Sequence, residues 1–312
     1  MLREARWVKL SSMAPYRPFL DGPWRLAMGI KALDLQAWIE IDERFLDQLA
    51  ERRRLLAERR SEVLAALPES RAGQDELLAL LLDHLPARFP DRYRRDDARI
   101  ENRATGERFE LEAWAGAPLE LAGRLVQEDL CLMQRGEAGY RLVAAALCFP
   151  AHWRLADKLG RPLAAIHDPV PGFGERLAAP VDRFFASIQV ERPVWRVNWS
   201  LVDTPDLFLP PEHRGHPREI AAGRAGEELW LRVERQTLRR LPRTGDVVFG
   251  IHTYVEPLAA AIDSAQAAGA LAARIREMPE PMARYKSIWP IRAPLLAWLD
   301  ARAQAQGPSA GR

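Results

Sequence analysis

The chain has 312 residues, 45 of them basic and 43 acidic, for a formal net charge of +2. The two signs interleave, which excludes the one-signed face of a nucleic-acid binder, and 48% hydrophobic residues suffice for a core in one large domain or two modest ones. Two cysteines, Cys131 and Cys148, with no CxxC, cysteine cluster or HExxH, exclude a disulfide framework and argue against an iron–sulfur or zinc site in this chain. The first residues lack an apolar core of signal-peptide length and no apolar run is long enough to cross a bilayer, so a cytoplasmic protein is expected. Only Lys9, Lys31, Lys158 and Lys286 are lysine; the other basic residues are arginine.

Residues 1–36 mix aromatics, prolines and glycines and read as loop and extended chain anchored by Tyr16, Phe19, Trp24 and Met28, with 1–15 as an extension. From Leu35 to Leu67 the pattern turns helical: Trp38, Ile41, Phe45, Leu49 and Leu56 share a face, and the arginines at 52–54 fall on the solvent side. Pro68 stops that helix, and Gln74–Leu85 forms a second, more buried one. Residues 86–108 are polar and arginine-rich, as in a surface connection, and Glu110–Val126 is a short helical lead into a sheet. Leu130–Phe149 reads as strand, glycine-containing turn and strand.

The stretch from Cys148 to Phe173 ends an apolar run at Pro150, continues as a helix-like segment, and places His167 just ahead of Pro169 and Pro171. Proline fixes φ and removes donors, which predicts an extended, stiff strap around His167. Such a histidine is either a satisfied loop residue or an axial metal ligand. Pro180–Gln189 is a predicted helix burying Val181, Phe184, Phe185 and Ile188.

Three further strands are expected at Pro193–Val202, Glu228–Val233 and Asp246–Val255. In the first, Trp195, Val197, Trp199 and Leu201 alternate with Arg196, Asn198 and Ser200; in the last, His252 and Tyr254 lie opposite an apolar row. Each strand thus has a polar side fit to line a cavity, and His252 rivals His167 as a ligand. His152 before Trp153, and His213 and His216 in a polar loop, are weaker candidates. If Glu234–Leu241 is helical, Arg232, Arg235 and Arg239 share a face, either solvated or with Arg235 turned inward onto a carboxylate. The tail from Pro257 is mostly helical, with residues 303–312 expected to fray. The sum is an α+β fold, an antiparallel sheet of about five strands between N-terminal and C-terminal helices, with no Gly-rich phosphate loop and no nucleophile elbow.

The blocks CFPAHWRLADKLGRPLAAIHDPVPG, RPVWRVNWSL, LRVERQTLRRLP and FGIHTYVEPL, with PFLDGPWRLAMGIKALDLQAWIEID upstream, resemble the haem-dependent oxidative N-demethylase family from about Tyr16 to Leu258. One domain over 16–300 with a disordered tail at 301–312 is expected, and the resemblance implies a PAS-like antiparallel sheet with haem b bound in the domain. It implies a monooxygenase subunit that removes a methyl group from a small secondary amine with O2, releasing formaldehyde. Electrons would come from NADPH through FMN and a [2Fe–2S] cluster on a reductase subunit in trans. It assigns iron to His167, with Arg196 and Arg235 holding carboxylates or ordering the pocket, and Asn198 and Ser200 lining it. His252 and Tyr254 are further cofactor-contact candidates. The family pattern carries an acidic residue near the strand that here reads Asn198-Trp199-Ser200-Leu201. A haem- or ligand-binding sensor without turnover, on the same scaffold, is the alternative.

Overall fold

A computed structural model describes residues 15–213 and 220–305. Ten strands form in it: β1 (Lys31–Ala32), β2 (Leu64–Ala66), β3 (Tyr93–Arg95), β4 (Arg99–Asn102), β5 (Glu107–Glu110), β6 (Asp129–Gly136), β7 (Gly139–Ala146), β8 (Val194–Val202), β9 (Trp230–Arg240) and β10 (Val247–Pro257). Seven make one antiparallel sheet in the order β1-β8-β9-β10-β6-β7-β2, and β3-β4-β5 make a small second sheet. The β6–β7 hairpin is the one expected from its pattern. Its turn closes at Gly139, where φ is +89° and a Cβ would come within 2.4 Å of Asp182 Oδ1, so only glycine fits.

Register decides which residues share a face. Across β8 and β9, Arg196 stands opposite Gln236, Asn198 opposite Glu234 and Ser200 opposite Arg232; in β9 and β10, Arg235 stands opposite His252 and Val233 opposite Tyr254. Side chains alternate, so Arg196, Asn198, Ser200, Glu234 and Gln236 belong to one face and Arg235, His252 and Tyr254 to the other. The first face is covered by the segment between β7 and β8, through a cluster of Cys131, Met133, Leu142, Leu163, Phe185, Leu238 and Ile251. The second carries two apolar layers. Phe45, Leu49, Leu77 and Leu81 of the N-terminal helices pack on Leu130, Leu132 and Val248, whereas Leu271, Ile275, Leu295 and Leu299 of the C-terminal helices pack with Leu231 and Val233.

Several local expectations give way to tertiary pairing. The Leu35–Leu67 helix shortens to Phe45–Glu58 plus the turn Arg60–Val63, and the next residues become β2 on the edge of the sheet. Arg52 is not on the solvent side. It is fully buried, its Nη1 is 2.8 Å from Asp129 Oδ1, and its Nε donates to Gly123 O at 2.8 Å. Asp129 in turn accepts from the amides of Cys148 and Phe149, so the pair ties a helix to the start and exit of the hairpin. Glu234–Leu241 is not helical: residues through Leu238 pair on both sides as β9, Arg239 and Arg240 pair with β10, and two neighbouring strands outweigh an arginine spacing that also suits a helix. Residues 86–108 hold β3, β4 and the start of β5, and the segment after Pro150 is a series of turns in place of a helix. The C-terminal helix runs from Arg292 to Ala305, covering the first residues expected to fray. Among the described residues no helix is long and apolar enough to cross a membrane.

Candidate functional site

His167 lies at the end of a one-turn helix, Leu163–Ile166, with φ −103° and ψ 5°. The expected extended strap is therefore a turn. Pro169 restricts only Asp168, and the His167 amide stays free to bond the carbonyls of Leu163 and Ala164. The imidazole is held on two sides. Nδ1 donates to Leu163 O at 2.8 Å, and Phe173 stacks on the ring at 4.4 Å between centroids and 13° between planes. That hydrogen bond fixes the tautomer with the Nε2 lone pair free. Burial lowers the ring's pKa, and the charges of Lys158 and Arg196 lower it further, so the ring is neutral.

Arg196 is close enough to act on His167, and it stands on the polar face with Asn198, Ser200, Glu234 and Gln236. Alternation within β8 groups Arg196, Asn198 and Ser200, and Glu234 and Gln236 join them through the β8–β9 register. Glu234 Oε2 accepts from Asn198 Nδ2 at 3.3 Å and from Gln236 Nε2 at 3.0 Å; Oε1 lies 3.5 Å from Arg232 Nε. The strand that reads Asn-Trp-Ser thus gains a carboxylate from its neighbour. Lys286 completes the group from the C-terminal layer. β1 covers only Val194 and Trp195, so the edge of β8 beyond them is open. There Lys286 Nζ donates to Trp199 O at 2.6 Å and to Asn198 Oδ1 at 3.2 Å. Burial brings the Lys286 pKa down to about 8.

Arg196 itself has no hydrogen-bond or ion-pair partner among the described residues, and its Nε is buried. Desolvation lowers its pKa, with Glu234 acting the other way. Thr253, on the same face, buries an unpartnered hydroxyl.

The opposite face gathers the other sequence candidates, and every one is engaged. Arg235 Nε is 3.0 Å from Glu40 Oε1, and its Nη groups donate to the carbonyls of Ala37 and Trp38. Glu40 also accepts from Tyr16 at 2.6 Å and Tyr254 at 2.5 Å, and burial raises both phenol pKa values well above their usual range. His252 is fully buried with Nε2 3.2 Å from Asp42 and Nδ1 3.2 Å from Glu128. Burial alone would depress its pKa, but the two carboxylates raise it to about 9. A cleft of about 600 Å³ reaches this network past Glu40, Asp42, Arg88, Phe89 and Tyr254.

The structure therefore brings Arg196, Asn198 and Ser200 onto one face, with Arg196 within electrostatic reach of His167, and separates that face by the sheet from Arg235, His252 and Tyr254. Glu234, Gln236 and Lys286 were missed. The first two follow only from reading β9 as a strand in register with β8; for Lys286 the sole sequence signal was its rarity as a lysine. His152 sits in a turn with φ +63°, His213 is exposed, and His216 lies outside the described residues. Residues 29–296, most of the chain, match the family model described as haem-dependent oxidative N-demethylase, alpha subunit-like. On that match the protein belongs to the haem-dependent oxidative N-demethylase alpha subunit-like family.

Proposed function

We propose that this chain is the haem-binding subunit of an oxidative N-demethylase, with haem b seated between His167 and the polar face of β8 and β9. The carrying observation is the fixed His167 tautomer: a neutral ring held by a carbonyl on Nδ1, with Nε2 unengaged, beside an arginine without a counter-ion. The neutral imidazole, with one nitrogen held by a carbonyl and the other free to donate, fits haem iron. His252 fits the ligand role less well, because both of its nitrogens face carboxylates and the ring is charged. The strand order β8-β9-β10-β6-β7, with the covering segment inserted between β7 and β8, supports a PAS-like reading of the core.

Haem bound there would supply oxygen activation. The net reaction balances as a secondary methylamine plus O2, two electrons and two protons, giving the primary amine, formaldehyde and water. Electrons come from NADPH through a flavin and [2Fe–2S] reductase in trans. Glu234 supplies a carboxylate for the substrate ammonium, Asn198 and Gln236 hold that carboxylate in place, and Lys286 fixes which way the Asn198 amide points. Ser200 lines the same wall. Arg235 and Tyr254 act at a distance, by holding the back of the sheet.

The test is the haem spectrum of the reconstituted chain. A Soret band is expected in the wild type, with its ligand-field pattern lost in His167→Ala and retained in His252→Gln. A colourless wild type, or a spectrum that follows His252 and ignores His167, overturns the reading.

A further inference from the structure

The pocket beside His167 holds more positive charge than a simple ammonium substrate calls for. Among the described residues, Arg196, Arg232 and Lys286 lie around the carboxylate of Glu234; Lys286 feels both Glu234 and Arg196, Arg232 also feels Asp129, and Glu234 is the carboxylate acting on Arg196. Arg232 is already satisfied by the carbonyls of Phe149 and Leu207. Arg196 is not. A largely desolvated guanidinium without a counter-ion is unfavourable, and its fork matches an incoming carboxylate in two parallel hydrogen bonds.

Glu234 has the complementary gap. Both amide donors act on Oε2, and Oε1 has only the long contact from Arg232 at 3.5 Å. Asn198 cannot flip to crowd it, because Lys286 holds Oδ1 and leaves Nδ2 turned to Glu234. Arg196 pairs with Gln236 while Asn198 pairs with Glu234, so the guanidinium and the carboxylate are diagonal neighbours on one face, with no ion pair between them among the described residues. An anion-binding group and a cation-binding group thus stand side by side on one face.

We propose that this pocket takes a secondary amine that also bears a carboxylate, an N-methyl amino acid, with its carboxylate on Arg196 and its ammonium on Glu234. The inference rests on the demethylase reading and narrows its substrate class. A bare dialkylammonium adds positive charge beside Arg196 and Lys286 and leaves Arg196 unmatched. A zwitterion adds no net charge and meets both groups, and the unmatched charge selects against the simpler amine.

The experiment is calorimetric titration of the haem-loaded protein with N-methylglycine, its methyl ester and dimethylamine, read in parallel as Soret shifts. N-methylglycine should bind at least about tenfold more tightly than either competitor, the contribution of one good charge-assisted contact. Arg196→Gln should bring the three within about threefold of one another by weakening N-methylglycine alone. Glu234→Gln should weaken N-methylglycine and dimethylamine together. Dimethylamine binding as tightly as N-methylglycine in the wild type overturns the proposal; that is also the result if a haem propionate occupies Arg196. A preference that survives Arg196→Gln overturns it too. Should Arg196→Gln not fold, the wild-type series with the ester decides. Absence of any Soret band counts against the haem reading itself, and the calorimetric series on the haem-free chain then still upholds or overturns the zwitterion site.

Discussion

The two faces of the sheet carry similar side chains and treat them in opposite ways. Behind the sheet, Arg235, His252, Tyr16 and Tyr254 each meet a carboxylate of Glu40, Asp42 or Glu128 between two apolar layers. In front, among the described residues, Arg196 and Lys286 face one carboxylate and the Arg196 side chain has no partner, and β8 from Val194 to Ser200 remains half-buried. A satisfied polar network specifies and holds a structure. An unsatisfied one is tolerated only where something else completes it, as at a binding site. The same residue type, arginine on adjacent strands, therefore reads as scaffold at 235 and as receptor at 196.

The largest expected effect comes from opening the closed face. Glu128→Ala leaves a buried, charged His252 with half its partners and should cost about 3–5 kcal/mol in chemical denaturation. A loss below about 1 kcal/mol would mean that the network is not structural. Next is its pH dependence. His252 has its pKa raised to about 9 from an ordinary 6.5, so its stabilising charge is complete below pH 6.5 and is lost as pH rises through 9. The unfolding midpoint should fall across that window in the wild type, and His252→Gln should flatten the slope.

On the open face the sign should reverse. Arg196→Met removes an unpartnered, half-buried charge and should stabilise the haem-free chain by up to about 1 kcal/mol, seen as a higher thermal midpoint, even as ligand binding is lost. A clear destabilisation would show that Arg196 has a structural partner. Ser200→Ala, at a half-buried position on the same strand, should change stability by no more than about 0.5 kcal/mol.

The alternation in VWRVNWSL correctly assigned Arg196, Asn198 and Ser200 to one side of their strand, because a period of two needs no distant information. Which of the two faces each polar side occupies is a matter of register. Arg196 and His252 each sit on the polar side of their own strand, yet they end on opposite faces of the sheet. Arg52 was misread for a related reason. Its helix is amphipathic by pattern, and only Asp129, 77 residues on, makes burial of that arginine favourable. His167 was found through its block of sequence, but the prolines misled about its backbone, since they act on the residues just before them.

By itself the sequence determined the α+β class, the β6–β7 hairpin, the strand cores at β8 and β10, the family, and His167 as the histidine to examine. These rest on local periodicity, turn chemistry and recognisable blocks, all carried within a few consecutive residues. Tertiary structure alone decided that β9 continues as a strand past Val233 to Arg240, that Glu234 stands beside Asn198, that Lys286 wraps the open edge of β8, and that Arg235 and Arg196 do different work. Each of those depends on a partner distant in the chain, and the energy of a charge is set by the partner it meets and the solvent it loses.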